Sequence, residues 1–153
     1  MRHNNYRRTI AIYVALDGWA TDWISGQELA HAVMDDFHIS EDRSRRHVSA
    51  WAKHRGVNVV LAGKFKFYCS RPQASPDPTV LRQKYWGLLP DGFRRTHNFD
   101  KCGTDEGINA ILMAYGALRL GRKDCLEAFN KWAVAHKQPR ISKDPPKPYG
   151  ITY

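Results

Sequence analysis

The chain predicts an α+β fold in which three N-terminal helices precede a two-stranded β ribbon, with a helical extension behind it. Three observations carry that expectation. The tetrad Ser25-Gly26-Gln27-Glu28 has the form of a capping box and opens an apolar-periodic stretch. The arginine-laden "ISEDRSRRHVSAWAKHRG", residues 39 to 56, has helical spacing and closes on a glycine. Two β-like runs, "VNVVL" and "FKFYC", follow it at once. With 153 residues and 42% hydrophobic content the chain can build a core and fold alone.

Taken in order, "TIAIYVALD" over residues 9–17 is almost wholly apolar and reads as a buried first helix, although its β-branched content also suits a strand. In "DWISGQELAHAVMDDF" the Ser25 hydroxyl would accept from the Glu28 amide, and the Glu28 carboxylate from the Ser25 amide. Ile24 and Leu29 stand at the two positions of a hydrophobic staple, and Leu29, Ala30, Val33, Met34 and Phe37 supply the apolar face of the second helix. Asp35 and Asp36 oppose its dipole. After the turn "FHIS", Ser40 can cap a third helix whose first turn holds Glu41 and Asp42, and Gly56 should end it. At 100° per residue Ser44, Val48, Trp51 and Ala52 form the inward stripe, while Arg43, Arg46, His47, Ala50, Lys53 and His54 project outward. Arg45 and Arg55 fall at the stripe's margin, where Arg55 could pair with Asp35 or Asp36.

For the ribbon, a three-residue loop of Ala62, Gly63 and Lys64 sets Leu61 opposite Phe65, Val59 opposite Phe67 and Val57 opposite Cys69, so that all six share one buried face. A two-residue loop would set Val59 opposite Lys66 and spoil that face. Lys64 then lies at the tip, with Lys66 and Tyr68 on the outer side. Beyond it, "RPQASPDPT" is linker, residues 80–89 suit a short helix, and Pro90-Asp91-Gly92 is a turn. Thr104 can cap a helix carrying Ile108, Ile111, Leu112, Tyr115 and Leu118, Gly121 punctuates, and a last helix over 122–136 turns Leu126, Phe129 and Ala133 inward beside Trp132. These two helices would pack as an αα-hairpin, on the first domain or across the axis of a homodimer. The predicted boundaries are 1–70 for the first domain, 71–103 for a Pro-containing linker and aromatic/basic segment, 104–136 for the helical hairpin and 137–153 for a proline-rich tail.

Charge narrows the choice of partner. Lys and Arg number 24 against 15 Asp and Glu, a formal net charge of +9, and the pI is about 9.7. That balance favours polyanions such as nucleic acid or an anionic membrane face. No acid occurs from Arg43 to Pro76, a stretch that holds Arg43, Arg45, Arg46, Lys53, Arg55, Lys64, Lys66 and Arg71. Cys69, Cys102 and Cys125 are an odd set without a CxxC, which argues against a disulfide framework or zinc knuckle and for a reducing, cytoplasmic compartment. "TIAIYVAL" behind Arg7 and Arg8 is too short for a signal peptide and meets Asp17 without a cleavage site, and no stretch approaches membrane-spanning length. His47 and His54 are seven apart on one helix, two turns and too far for one ion, so no metal is expected. The chain has no Gly-rich phosphate loop, nucleophile elbow or HExxH, so neither a cofactor nor enzymatic activity is expected.

The order helix, short extended "WI", capped helix, turn, basic helix, hairpin over residues 8–70 resembles the winged helix-turn-helix DNA-binding family. The residues bearing the resemblance are "ISGQELAHAV", "FHIS", "EDRSRRHVSAWAKHRG" and "VNVVLAGKFKFYC", a little under half the chain. The family implies that the third helix enters the major groove of double-stranded DNA while the hairpin, the wing, lies against backbone or minor groove. Independently of that likeness, Arg can grip guanine bidentately from the first turns of a groove-seated helix, a place held by Arg43 and Arg46. His47 and Ser49 are further base readers, and Ala50 suits a thymine methyl. Lys53, His54, Arg55, Lys64 and Lys66 suit phosphates, which set register and salt dependence. The expected function is sequence-selective duplex binding in the regulation of transcription or replication. Small size without an evident ligand or receiver domain fits a phage or mobile-element regulator. The competing readings are a protein-interaction module on an acidic partner surface, carried by the hairpin and C-terminal helices, and a single-stranded nucleic-acid binder that stacks bases on "KYWGLLPDGFRRTHNF".

Overall fold

The computed structural model describes residues 2–142, with side chains from Tyr6 onward. The fold is α+β. Among the described residues seven helices accompany one three-stranded antiparallel sheet, in the order α1 (Arg2–Trp19), β1 (Ile24–Ser25), α2 (Gly26–Phe37), α3 (Glu41–Arg55), β2 (Asn58–Ala62), β3 (Phe65–Cys69), α4 (Pro78–Gly87), α5 (Asp91–Thr96), α6 (Thr104–Arg119) and α7 (Lys123–Ala135). The proline-rich tail expected over 137–153 lies, from residue 143, outside the described residues. The chain folds as two compact units. One takes in the chain up to Leu61 together with Phe65–Ser75, the other Ala62–Lys64 and the chain from Pro76.

In the first unit, α1, α2 and α3 pack around Ile12, Leu16, Leu29, Val33, Val48 and Trp51, with Tyr68 of the sheet closing the cluster. Each such large apolar side chain taken fully out of water contributes about 1.5–3 kcal/mol. The helix α1 is not buried all round as expected. Only its Ile12–Leu16 stripe is covered, while Ile10 and Val14 are exposed, because the helix lies at the margin of its unit and meets neighbours on one side.

The caps follow the sequence closely. The Ser25 hydroxyl accepts from the Glu28 amide at 3.3 Å, and it donates to Glu28 Oε1 at 2.8 Å, so carboxylate and hydroxyl close the box on each other. Ser40 accepts from the Arg43 amide at 3.2 Å, and α3 ends at Gly56 with φ +63°. Between α2 and α3 the turn is made by His38, held in the left-handed region at φ +53°, with its amide donating to the Met34 carbonyl at 2.9 Å.

The ribbon has a different register. Its strands stop at Ala62 and resume at Phe65, so the turn is Gly63-Lys64, two residues and not three. Gly63 at the first turn position takes φ +60° while Lys64 stays out of the left-handed region, the pattern of a two-residue turn whose twist matches its strands. The change of loop length switches which residues of β2 face inward. Ala62 becomes buried, whereas Val59 and Leu61 are 45% and 68% exposed. In β3, Phe67 and Cys69 are buried as expected, but Tyr68 is buried too instead of facing outward. The sheet order is β1-β3-β2, with Ile24 opposite Tyr68 and Ser25 opposite Phe67. A central strand covered on both faces does not alternate wet and dry.

In the second unit α6 packs against both α4 and α7. Phe129 meets Phe93 and Phe99 edge-on, Phe93 and Phe99 are tilted to each other, and His97 is stacked on Phe93 at 3.8 Å. Two local expectations are corrected. Asp91-Gly92 opens the short α5 behind its N-cap Pro90 instead of forming a turn, with Asp91 in the first turn, where the helix dipole favours an acid. Gly103, not Thr104, is the N-cap of α6, which has no side-chain cap bond.

Candidate nucleic-acid interface

The best-supported site is the outward face of α3, and its placement begins with a carboxylate on α1. Asp17 Oδ1 accepts from the indole N–H of fully buried Trp51 at 2.8 Å, and Asp17 Oδ2 pairs with Arg55 Nε at 3.3 Å. One carboxylate thus fixes the rotation of α3 from its inner side. The Asp17 carbonyl also accepts from the Ser70 hydroxyl at 3.0 Å, which ties the end of the ribbon to the same helix.

With Ser44, Val48 and Trp51 buried, helical geometry turns the basic side chains out. Arg43, Arg46, Ser49, Lys53 and His54 are exposed, and His47 and Ala50 are half-buried. Arg43, Arg46 and Lys53 form no ion pair with the described residues, so their charge is unmasked. Arg45 differs, pairing with Glu41 at 3.1 Å and Asp42 at 3.5 Å. A shallow depression of about 420 Å³ runs along this face, lined by Arg46, Ser49, Ala50 and Lys53 among others. At 1.5 Å per residue the 15-residue helix is about 22 Å long, and a major groove admits one such rod.

The surroundings of His47 favour its neutral form. Burial lowers its pKa from the ordinary 6.5, and the guanidinium groups of Arg43 and Arg8 lower it further. Arg8 was not apparent from sequence as part of this face. It reaches from α1 to donate to the Phe37 carbonyl, a tertiary contact that leaves no local signal.

The phosphate-contact candidates divide. Lys53 and Lys66 are exposed. His54 lies beside the ring of Tyr13 at 6.0 Å. Arg55 stands over the same ring at 5.6 Å and pairs with Asp17, not with Asp35 or Asp36 as expected, because α3 packs its C-terminal end on α1. Asp35 is instead met by His31 at 3.3 Å. Lys64 keeps an exposed side chain, but its amide donates to Asn109 Oδ1 of α6 at 2.7 Å, within the second unit.

Of the aromatics considered for base stacking, Tyr85, Phe93 and Phe99 are core residues. Trp86 is half-buried, at 5.4 Å from Phe99. Among the described residues no three His, Cys, Asp or Glu side chains gather closely enough to hold a metal ion, and no helix is long and apolar enough to cross a membrane. Compared with protein families, curated proteins and solved structures, the chain matches none.

Proposed function

We propose that residues 8–70 form a winged helix-turn-helix module that binds double-stranded DNA sequence-selectively, in the regulation of transcription or replication. The observation that carries this reading is the basic face of α3, on which Arg43, Arg46 and Lys53 form no ion pair with the described residues, set outward by the Asp17–Trp51 bond and preceded by a capped helix and a three-residue turn. The short β1 paired to the hairpin supports it, since the ribbon is thereby anchored beside the helix pair instead of hanging free. In this reading Arg43 and Arg46 read guanine edges and neutral His47 and Ser49 hydrogen-bond to bases. Ala50 meets a thymine methyl, and Lys53, His54, Lys66 and the remaining donors of Arg55 and Lys64 hold phosphates. The protein binds its ligand and does not transform it.

A second reading is favoured by the exposed Val59 and Leu61 on β2, an edge strand of the sheet. Such an edge can accept a strand from a protein partner. One experiment separates the two. Duplex DNA is titrated by fluorescence anisotropy over a salt series, alongside a pull-down with and without nuclease. Neutralising five or six phosphates gives a log–log salt slope of about −5 and capture that nuclease abolishes. A flat salt response with nuclease-resistant stoichiometric capture would replace the DNA reading with the protein one.

A further inference from the structure

A cavity of about 610 Å³ in the second unit, walled by α4, α5 and the start of α6, lies outside the face discussed so far. Its cations are the unusual feature. Arg82 of α4 is half-buried, donates to the Phe99 carbonyl and forms no ion pair with the described residues. The guanidinium lies against α6 where residue 107 is glycine; a Cβ there would stand 2.6 Å from Nη1. Arg94 pairs through Nη2 with Asp91, yet its Nε is buried with no hydrogen-bond partner. Taking the Arg82 cation partly out of water without a counter-charge is costly, and so, separately, is leaving the Arg94 N–H without an acceptor. Arg82 and Arg94 both line this cavity, so an anion held there meets two guanidinium groups. Two planar guanidinium forks suit a phosphate better than a point charge would.

The rest of the wall suits more than an inorganic ion. Asn98 Oδ1 already accepts from the Asp100 amide at 2.7 Å, leaving its NH₂ as the donor end. Asp100 brings a carboxylate that can accept from hydroxyl or amino groups, and half-buried Trp86 offers a ring surface. The volume is that of a small-molecule site. We propose that this cavity binds a nucleoside phosphate, with the phosphate on Arg82 and Arg94 and the ring system toward Trp86. The phosphate can belong to a free nucleotide or to the 5′ end of a strand.

The test titrates adenosine 5′-monophosphate, adenosine and inorganic phosphate into the full chain by calorimetry. The monophosphate should bind saturably, and each fragment about tenfold or more weaker. Arg82→Gln and Arg94→Gln should each weaken it about tenfold, whereas Arg43→Ala on α3 should not. Gly107→Ala, which displaces the Arg82 head without removing it, should also weaken binding, and it serves if Arg82→Gln fails to fold. Competition by a 5′-phosphorylated single-stranded oligonucleotide would assign the phosphate to a strand end, and its failure to compete to a free nucleotide. No saturable monophosphate binding at millimolar concentration would overturn the proposal. So would binding indifferent to Arg94→Gln and Gly107→Ala, or inorganic phosphate binding as well as the nucleotide.

Discussion

Asp17 carries more of the site than any residue that would touch DNA. It interrupts an apolar run and, in sequence, looks like no more than the end of a hydrophobic stretch. In the folded chain its two oxygens take the Trp51 indole and the Arg55 guanidinium. Asp17→Ala strands a buried N–H, which costs about 1–3 kcal/mol, while the half-exposed Arg55 pair adds little. In urea unfolding Asp17→Ala should therefore be clearly less stable than wild type, and Asp17→Asn, which keeps an acceptor, should fall between. Equal stability of the two variants would show that the indole bond does not matter. His47 gives a pH dependence at the same scale. Its pKa is lowered in the folded chain, so between that value and about 6.5 the unfolded chain binds more protons. Stability is then fully present above pH 6.5 and is lost as pH falls through the folded value. Thermal midpoints between pH 7 and 5 should drop less in His47→Gln than in wild type. Neither Asp17's role nor the influence of Arg8 on His47 was legible in the sequence, because both depend on which helices become neighbours.

Elements with local chemistry at their ends were the legible ones. Ser25 and Glu28, Ser40, and Gly56 announced α2 and α3 through hydrogen bonds made within four residues of each other. The inward stripe of Ser44, Val48 and Trp51 followed from helical periodicity. The ribbon was legible as two strands but not in its register, because the apolar pattern alone favoured the three-residue loop, and the geometry of Gly63 decided for two. At Gly63 the positive φ penalises any Cβ by about 1–2 kcal/mol, and the added atom would also strike the Asn109 side chain. Gly63→Ala should thus destabilise, and Gly63→Ala combined with Asn109→Ala should recover only the collision, leaving the backbone cost. Full recovery in the double variant, measured by chemical denaturation, would mean that the turn carries no strain. In α1 the run of apolar residues concealed which ones are covered; burial of one stripe and exposure of Ile10 and Val14 came from packing on one side.

For the whole molecule, net charge of +9 is concentrated where acids are missing, from Arg43 to Pro76, and on α3 that charge is turned to solvent. A polyanion met by this face should bind quickly and weaken steeply with salt. On the proposed reading the phosphates of a duplex would oppose the lowering of the His47 pKa, so binding should take up a proton and strengthen as pH falls from neutral and His47 passes from its neutral to its charged form. Charge alone makes binding tight without making it selective, and selectivity must come from the first turns of α3. Competition binding of Arg43→Ala and Arg46→Ala to a duplex selected from a random pool, against unselected DNA, tests that claim most directly. Each substitution should cost about 1–3 kcal/mol on the selected duplex and much less on the unselected one, while Lys53→Ala should weaken both alike. If both arginine variants kept the wild-type ratio of selected to unselected binding, α3 would not be the reading helix.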